Sequence, residues 1–329
     1  MTLPEFRVMQ PDSVDAALAA RRADPSSCFI AGGTDLIPNL RRGLAAPASL
    51  IDLRGIPELR RITRSSEGLA LGAAVTLAEL IDDDAIGKAY PALVAAAAAV
   101  AAPALREAGT LGGNICLDTR CQFYNESAWW RAANDFCLKR EGDRCHVAPG
   151  GTRCYAAYSG DLAAPLLVYG ALAEIAGASG TRRIPLAELF ADDGAAHMRL
   201  SPDELLVAVH VPAHPWPAAY AKARQRGSID FPLAGVAVAL LAADGIVRGL
   251  RVALTGVASR PILLEETTSL GGAALDAGAL ERLGKSVQKA VTPMRTTSAA
   301  PLYRRRVAAV FATRLATELL HRGASHPCV

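Results

Sequence analysis

"FIAGGTDL", residues 29–36, ends a short apolar run in a Gly-Gly-Thr turn. Successive main-chain N–H groups in such a turn form a concave nest for an anion, and the missing Cβ atoms let a phosphate approach the backbone. Asp35 follows at the place of a helix N-cap. Working outward, "FRVMQ" (6–10) and "SLIDL" (49–53) read as strands and "SVDAALAARRA" (13–23) as a helix, and a further segment ends at Arg41, Arg42 and Gly43. Together they make a small strand-helix-strand layer.

A second block begins near Pro57 with the strand-like "LRRITRS" (59–65) and "LALGAAV" (69–75). Thr76 and Glu79 have the spacing of a capping box. The Ala-rich "YPALVAAAAAVAAPAL" (90–105) follows as one buried helix; it is too short and too quickly closed by Arg106 and Glu107 to span a membrane. Further on, "GDLAAPLLVYGA" (160–171) opens a helix that leads into a strand, and "ELLVAVHVP" (204–212) is another strand. Pro212, Pro215 and Pro217 mark a boundary. Beyond them Asp244-Gly245 joins two β-rich runs as a hairpin, and two helical stretches follow. The expected class is α+β in three pieces: 1–56, 57–213 and 214–329.

"GTLGGN", residues 109–114, is a second glycine-rich loop. Neither loop carries a Walker lysine or a GxGxxG fingerprint, so neither a nucleoside triphosphate site nor a Rossmann site is supported. Taken singly, each pair of glycines reads more readily as a simple turn. Two such loops at element ends bring a cofactor that carries a diphosphate level with that reading.

With 329 residues, 51% of them hydrophobic, the chain can bury a sizeable core, and a net charge of +3 gives no field for nucleic acid or an anionic membrane. The start "MTLPEFRVMQ" lacks the pattern of a secretory signal, so a cytoplasmic location is expected. In a reducing compartment clustered cysteines serve as ligands or catalysts more than as disulfides. Five of the seven cysteines fall within residues 114–154. Cys121, Cys137, Cys145 and Cys154 are separated by 15, 7 and 8 residues, without the CxxC pair that zinc favours. Phe123, Tyr124, Trp129, Trp130, Phe136 and Tyr155 surround them in sequence, an apolar company of the kind that tunes an iron-sulfur cluster. Three readings stand on these residues alone: a 4Fe-4S cluster, a zinc staple with His146 available as a ligand, and unligated thiols. Cys28, in an apolar strand, and Cys328, near the end, read as structural or incidental.

Other features are weaker. His210 and His214 have Pro212 between them and cannot share a helix face. Arg304, Arg305 and Arg306 read as a solvated helix face. No serine-histidine-aspartate pattern stands out.

"AGGTDL", "GTLGGNI", "GDLAAPLLVYGA", the lysine of "YAKAR" and the terminal "YRRRV", in this order, resemble the flavin-binding subunits of the molybdenum hydroxylase family, which includes xanthine and carbon monoxide dehydrogenases. The resemblance implies a two-part FAD-binding domain of the vanillyl-alcohol-oxidase type and a smaller C-terminal α/β domain. It implies that Ala31, Gly32, Gly33, Thr34 and Asp35 hold the pyrophosphate, and that Leu36, Thr110, Gly113, Asn114 and Asp161 line the rest of the site. Val100, where some relatives carry an aromatic, would lie with Leu206 and Lys222 near the isoalloxazine.

Ordinary members pass quickly from "GGN" to the "DL" helix, whereas here an insert occupies about residues 115–158. With "NICLDTRCQFYNESAWW", "CLK", "GDRCH" and "RCYA" it resembles the insert of 4-hydroxybenzoyl-CoA reductase β subunits, which binds a 4Fe-4S cluster. "GTDLIPNLRRGL", "DFPLAGVA" and "YRRRV" support the same resemblance. Cys116 belongs to the flavin segment of cluster-free relatives too, which leaves Cys121, Cys137, Cys145 and Cys154 as the implied ligands. The resemblance further implies a molybdopterin subunit and a 2Fe-2S subunit as partners, in a dimer of heterotrimers, and ferredoxin as the electron donor. Electrons would pass through the 4Fe-4S cluster, FAD and 2Fe-2S centres to molybdenum, where the phenolic hydroxyl is removed in anaerobic aromatic breakdown; this chain would hold no acid/base catalytic residue. An NAD-linked hydroxylase subunit with a zinc-stapled loop is the alternative, and an assembly module without flavin the third.

Overall fold

In the computed structural model, which describes residues 3–265 and 270–324, three sheets organise the chain. The first runs through β1 (Arg7–Met9), α1 (Val14–Ala23), β2 (Cys28–Ile30), α2 (Leu36–Arg41) and β3 (Ser49–Asp52), with β3 between β1 and β2 and all pairs parallel. Ser13 caps α1 by accepting from the Ala16 N–H, and Asp15 and Arg21–Arg22 sit at the ends their charges favour.

The second sheet begins with β4 (Ile62–Ser65) and β5 (Gly68–Gly72). Helices α3 (Leu77–Asp82), α4 (Asp84–Ala89), α5 (Pro91–Ala99), α6 (Pro103–Arg106), α7 (Leu111–Ile115), α8 (Ala128–Ala133) and α9 (Ala163–Val168) follow. The sheet is completed by β6 (Leu172–Gly177), β7 (Gly180–Pro185) and β8 (Leu205–Pro212), in the antiparallel order β4-β5-β8-β6-β7. Both arms of the Thr76–Glu79 capping box are present. Every residue of α9 is buried, since it packs against α5 on one side and the third sheet on the other.

The third sheet, β12-β11-β10-β9, comprises β9 (Ala218–Ala223), β10 (Ala234–Ala243), β11 (Ile246–Thr255) and β12 (Ile262–Glu265), and is covered by α10 (Ala277–Ala290) and α11 (Pro301–Ala324). Asp244 and Gly245, with φ of 53° and 72°, form the hairpin turn between β10 and β11. One core runs from the second sheet into Ala237, Ala239 and Ala253 of the third.

Four expectations need correction. The Ala-rich helix is broken: α5 ends at Ala99, Val100 is extended, Ala101 has φ 45°, and α6 starts at Pro103. The proline disfavours helical geometry at Ala102 and supplies no N–H. "GTLGGN" is not a loop throughout, because Thr110 caps the short α7 by accepting from the Gly113 N–H at 3.1 Å. Strands β7 and β9 were not expected, because the charged "GTRRIP" and the Ala-rich "AAYAKA" lack a clear alternating pattern. Arg304 is fully buried, unlike the exposed Arg305 and Arg306. Its guanidinium donates to the carbonyls of Leu233 at 2.9 Å, Met294 at 2.8 Å and Gly256, and burial lowers its pKa to about 10.

Candidate functional site: a glycine cradle and a thiol lobe

The turn after β2 and the segment before α7 pack together. A Cβ on Gly32 would lie 1.7 Å from the Ala108 carbonyl oxygen, and one on Gly109 would lie 3.7 Å from Thr34 Oγ1. Gly33 adopts φ +68°, the left-handed region that glycine tolerates best. Among the described residues, no main-chain acceptor meets the N–H groups of Gly32, Gly33 and Thr34. Ala31, Gly32, Gly33, Asp35 and Leu36 are partly exposed and Thr34 is exposed, so the turn can receive an anion from solvent.

Asp35 occupies the N-cap position of α2, yet its side chain makes no cap hydrogen bond. Instead its carboxylate accepts from Arg120 Nη2 at 2.7 and 2.8 Å and from Asn39 Nδ2 at 2.9 Å. The expected helix cap is therefore replaced by a salt bridge, which neutralises a negative charge beside the turn.

Asn114 Oδ1 accepts from the Leu162 N–H at 2.9 Å, joining α7 to the start of α9. Next to it, Asp161 is buried and paired with Lys222 Nζ at 2.9 Å, while Tyr220 Oη donates to its other oxygen at 2.5 Å. Burial pushes the Asp161 carboxyl up, against the opposing pull of Lys222. Lys222 Nζ also donates to the Ala99 carbonyl at 3.0 Å, so β9 holds the break in the Ala-rich segment just before Val100. Leu206, on β8, is 2% exposed and belongs to the apolar core.

The insert closes on itself at Arg120 and Ala157, whose backbones exchange hydrogen bonds of 2.8 and 2.7 Å. The lobe beyond this neck docks on both neighbours. Cys154 N–H donates to Asp193 Oδ1 at 3.1 Å, and Gln122 N–H donates to the Thr296 carbonyl at 2.9 Å.

Within the lobe, Cys121, Cys137, Cys145 and Cys154 line one small cavity with Phe123, Tyr124, Leu138 and Val147. All four are free thiols; three are buried and Cys137 is half-buried. Burial raises the Cys121 thiol and pushes Cys154 up to about 11. Lys139, 7% exposed and bonded to Asp118 at 2.6 Å, also lines the cavity and pulls the Cys154 value the other way.

Among the described residues no group of three or more His, Cys, Asp or Glu side chains is gathered to hold a metal ion. The four thiols ring one small cavity. A 4Fe-4S cluster spreads four thiolates over its separate irons, so four cysteines around a common apolar cavity fit that donor set. His146 lines the same cavity, with its Nε2 facing the Phe136 carbonyl and its ring 5.8 Å from Phe123.

The aromatic company is narrower than expected, since Trp129 is 78% exposed and Tyr155 instead stacks under Arg153. Cys116 stands apart, packed against the main core at the end of α7, with burial pushing its thiol up to about 12. Cys28 lies in β2, and Cys328 is outside the described residues. His210 pairs with Glu174 at 2.7 Å, while His214 lies beyond the end of β8 with φ 52°.

Residues 4–214 match the FAD-binding domain of molybdopterin dehydrogenases, and residues 218–319 match the CO dehydrogenase flavoprotein C-terminal domain. The chain belongs to the FAD-binding subunits of the molybdenum hydroxylases. It is similar to the aldehyde oxidoreductase FAD-binding subunit of Escherichia coli (strain K12), 34% identical over 76% of this chain and 80% of that one. The carbon monoxide dehydrogenase medium chain of Afipia carboxidovorans is 29% identical, over 94% of both chains. The reconstituted CO dehydrogenase from Oligotropha carboxidovorans has the same fold, with a TM-score of 0.80, 26% identity, and coverage of 98% of this chain and 100% of that chain.

The flavoprotein subunit therefore binds FAD and serves an oxidoreductase of this family. No described helix is long and apolar enough to cross a membrane. Three residues that organise its site escaped sequence reasoning. Tyr220 was within reach, because it lies two positions before Lys222 and so on the same strand face. Tyr158, fully buried with its hydroxyl donating to the Ile115 carbonyl at 2.8 Å, and Arg120 carry no sequence signal, since both act across long chain separations.

Proposed function

We propose that this chain is the electron-transfer flavoprotein subunit of a molybdenum-containing 4-hydroxybenzoyl-CoA reductase, with a 4Fe-4S cluster on Cys121, Cys137, Cys145 and Cys154. The observation that carries the reading is the lobe itself: four free thiols share one apolar cavity in a segment anchored to the glycine cradle. Flavin exchanges electrons singly or in pairs and a 4Fe-4S cluster singly, so the two together match a one-electron donor such as ferredoxin to a two-electron reduction. The partners of this reading are a molybdopterin subunit and a 2Fe-2S subunit, as a dimer of heterotrimers, and the compartment is the cytoplasm. The acyl-CoA substrate loses its hydroxyl on the molybdenum subunit and does not touch this chain.

The chain's own residues supply the setting. The turn at Gly32, Gly33 and Thr34 offers its N–H groups to the FAD pyrophosphate, with Ala31, Asp35 and Leu36 shaping it. Thr110 and Gly113 fix α7 and Asn114 fixes α9 beside it, and the Asp161–Lys222 pair holds the segment that carries Val100. Leu206 backs this region from the apolar core.

Metal and acid-labile sulfide analysis tests the cluster. The anaerobically purified complex is expected to carry about four iron atoms and about four sulfides per flavoprotein chain beyond those of the 2Fe-2S subunit. Stoichiometric zinc on this chain without the extra sulfide overturns the reading.

A further inference from the structure

Half of the Arg120 guanidinium is unaccounted for. The residue stands at the neck of the thiol lobe, directly before Cys121, and its side chain is 7% exposed. It crosses to the glycine turn, where Nη2 binds both oxygens of Asp35. Nη1 is buried and has no hydrogen-bond partner. A buried donor of a charged group left unpaired is costly, so this arm calls for an acceptor. Arg120 does not line the thiol cavity.

A guanidinium is a planar fork that can serve two oxyanions on different edges. One edge is taken by the Asp35 carboxylate, beside the uncommitted N–H groups of Gly32, Gly33 and Thr34. We propose that Arg120 is a ligand of the FAD diphosphate, delivered to the glycine turn by the insert. The insert then does more than hold thiols: it closes one wall of the flavin site with a fixed positive charge. The proposal rests on the reading of Ala31–Leu36 as the diphosphate turn. A rival occupant is an ordered water shared with Asn39, whose Oδ1 is also buried without a partner.

Titrating the flavin-stripped complex with FAD, ADP and riboflavin separates these cases. Arg120→Met is expected to weaken FAD and ADP each by about 10- to 100-fold, the scale of a charge-assisted hydrogen bond, and to leave riboflavin unchanged. Arg120→Lys keeps the charge on one nitrogen that can still bridge Asp35 and a phosphate, so ADP is expected to weaken there less than in Arg120→Met. Unchanged FAD and ADP affinity in Arg120→Met overturns the proposal and leaves water as the partner of Nη1. An equal loss for all three ligands also overturns it, because Arg120 would then only support the fold. Gly33→Val controls the underlying reading. If that variant keeps full FAD, the turn is not the diphosphate site; if it loses FAD while Arg120→Met does not, only the role of Arg120 fails.

Discussion

Replacing Cys137 by Ser is expected to abolish the iron-sulfur absorption and paramagnetic signal of this chain while FAD stays bound at full occupancy. Cys137 is the half-buried member of the four, set in a tight turn whose Arg140 and Gly142 N–H groups both donate to its carbonyl, at 2.7 and 3.0 Å. Serine keeps the size and the turn but offers a hydroxyl where the cluster needs a soft thiolate. The glycine cradle and the Asp161–Lys222 pair do not touch this turn, so flavin retention is the internal control for folding. Cys116→Ser should keep both cofactors, because that thiol lies against the main core and not in the cavity. Cluster loss in Cys116→Ser, with retention in Cys137→Ser, would show that the ligand set is wrong.

Lys222→Met should cost about 3–5 kcal/mol of stability, because it leaves the Asp161 carboxylate buried without its cation. Both side chains are 3% exposed, so solvent cannot replace the lost partner. The same change removes the shorter of two hydrogen bonds to the Ala99 carbonyl, leaving only Arg224 Nη1 at 3.4 Å, and loosens the segment that carries Val100. A fall in Tm of about 10 °C is expected in thermal unfolding of the complex, with loss of flavin before the global transition. Adding Asp161→Leu to Lys222→Met should recover much of the stability without recovering flavin, since an apolar pair can replace a buried ion pair. If Lys222→Met alone unfolds as the wild type does, the Asp161–Lys222 pair does not hold this region together.

What sequence could convey followed the range of each interaction. Local signals were legible: the Thr76–Glu79 capping box, the Asp244-Gly245 turn and the α1 cap all depend on neighbours within a few residues. The break at Val100–Ala102 was written in Pro103, but nine apolar residues before it outweighed that one sign. Arg304 shows the opposite limit. In "YRRRV" three arginines look alike, and only packing against the carbonyls of Leu233, Gly256 and Met294 sets one of them inside. At the site, the glycine turns and the cysteines announced themselves by composition. Which helix cap Asp35 would give up, and for which arginine, depended on a contact across 85 positions that no local pattern records.

On the proposed function, electrons enter this flavoprotein singly, through the thiol lobe. The half-buried Cys137 places one side of the cavity near the surface, where a small transient contact with a protein donor suffices. Hydride transfer from a nicotinamide would instead require an open flavin face for stacking. Anaerobic rapid mixing of the assembled complex with reduced ferredoxin or a one-electron dye, and separately with NADH or NADPH, tests this most directly. Flavin reduction by the one-electron donor at a rate matching turnover is expected, with negligible bleaching by NADH or NADPH; flavin bleaching by NADH at the rate of turnover would rule out one-electron entry.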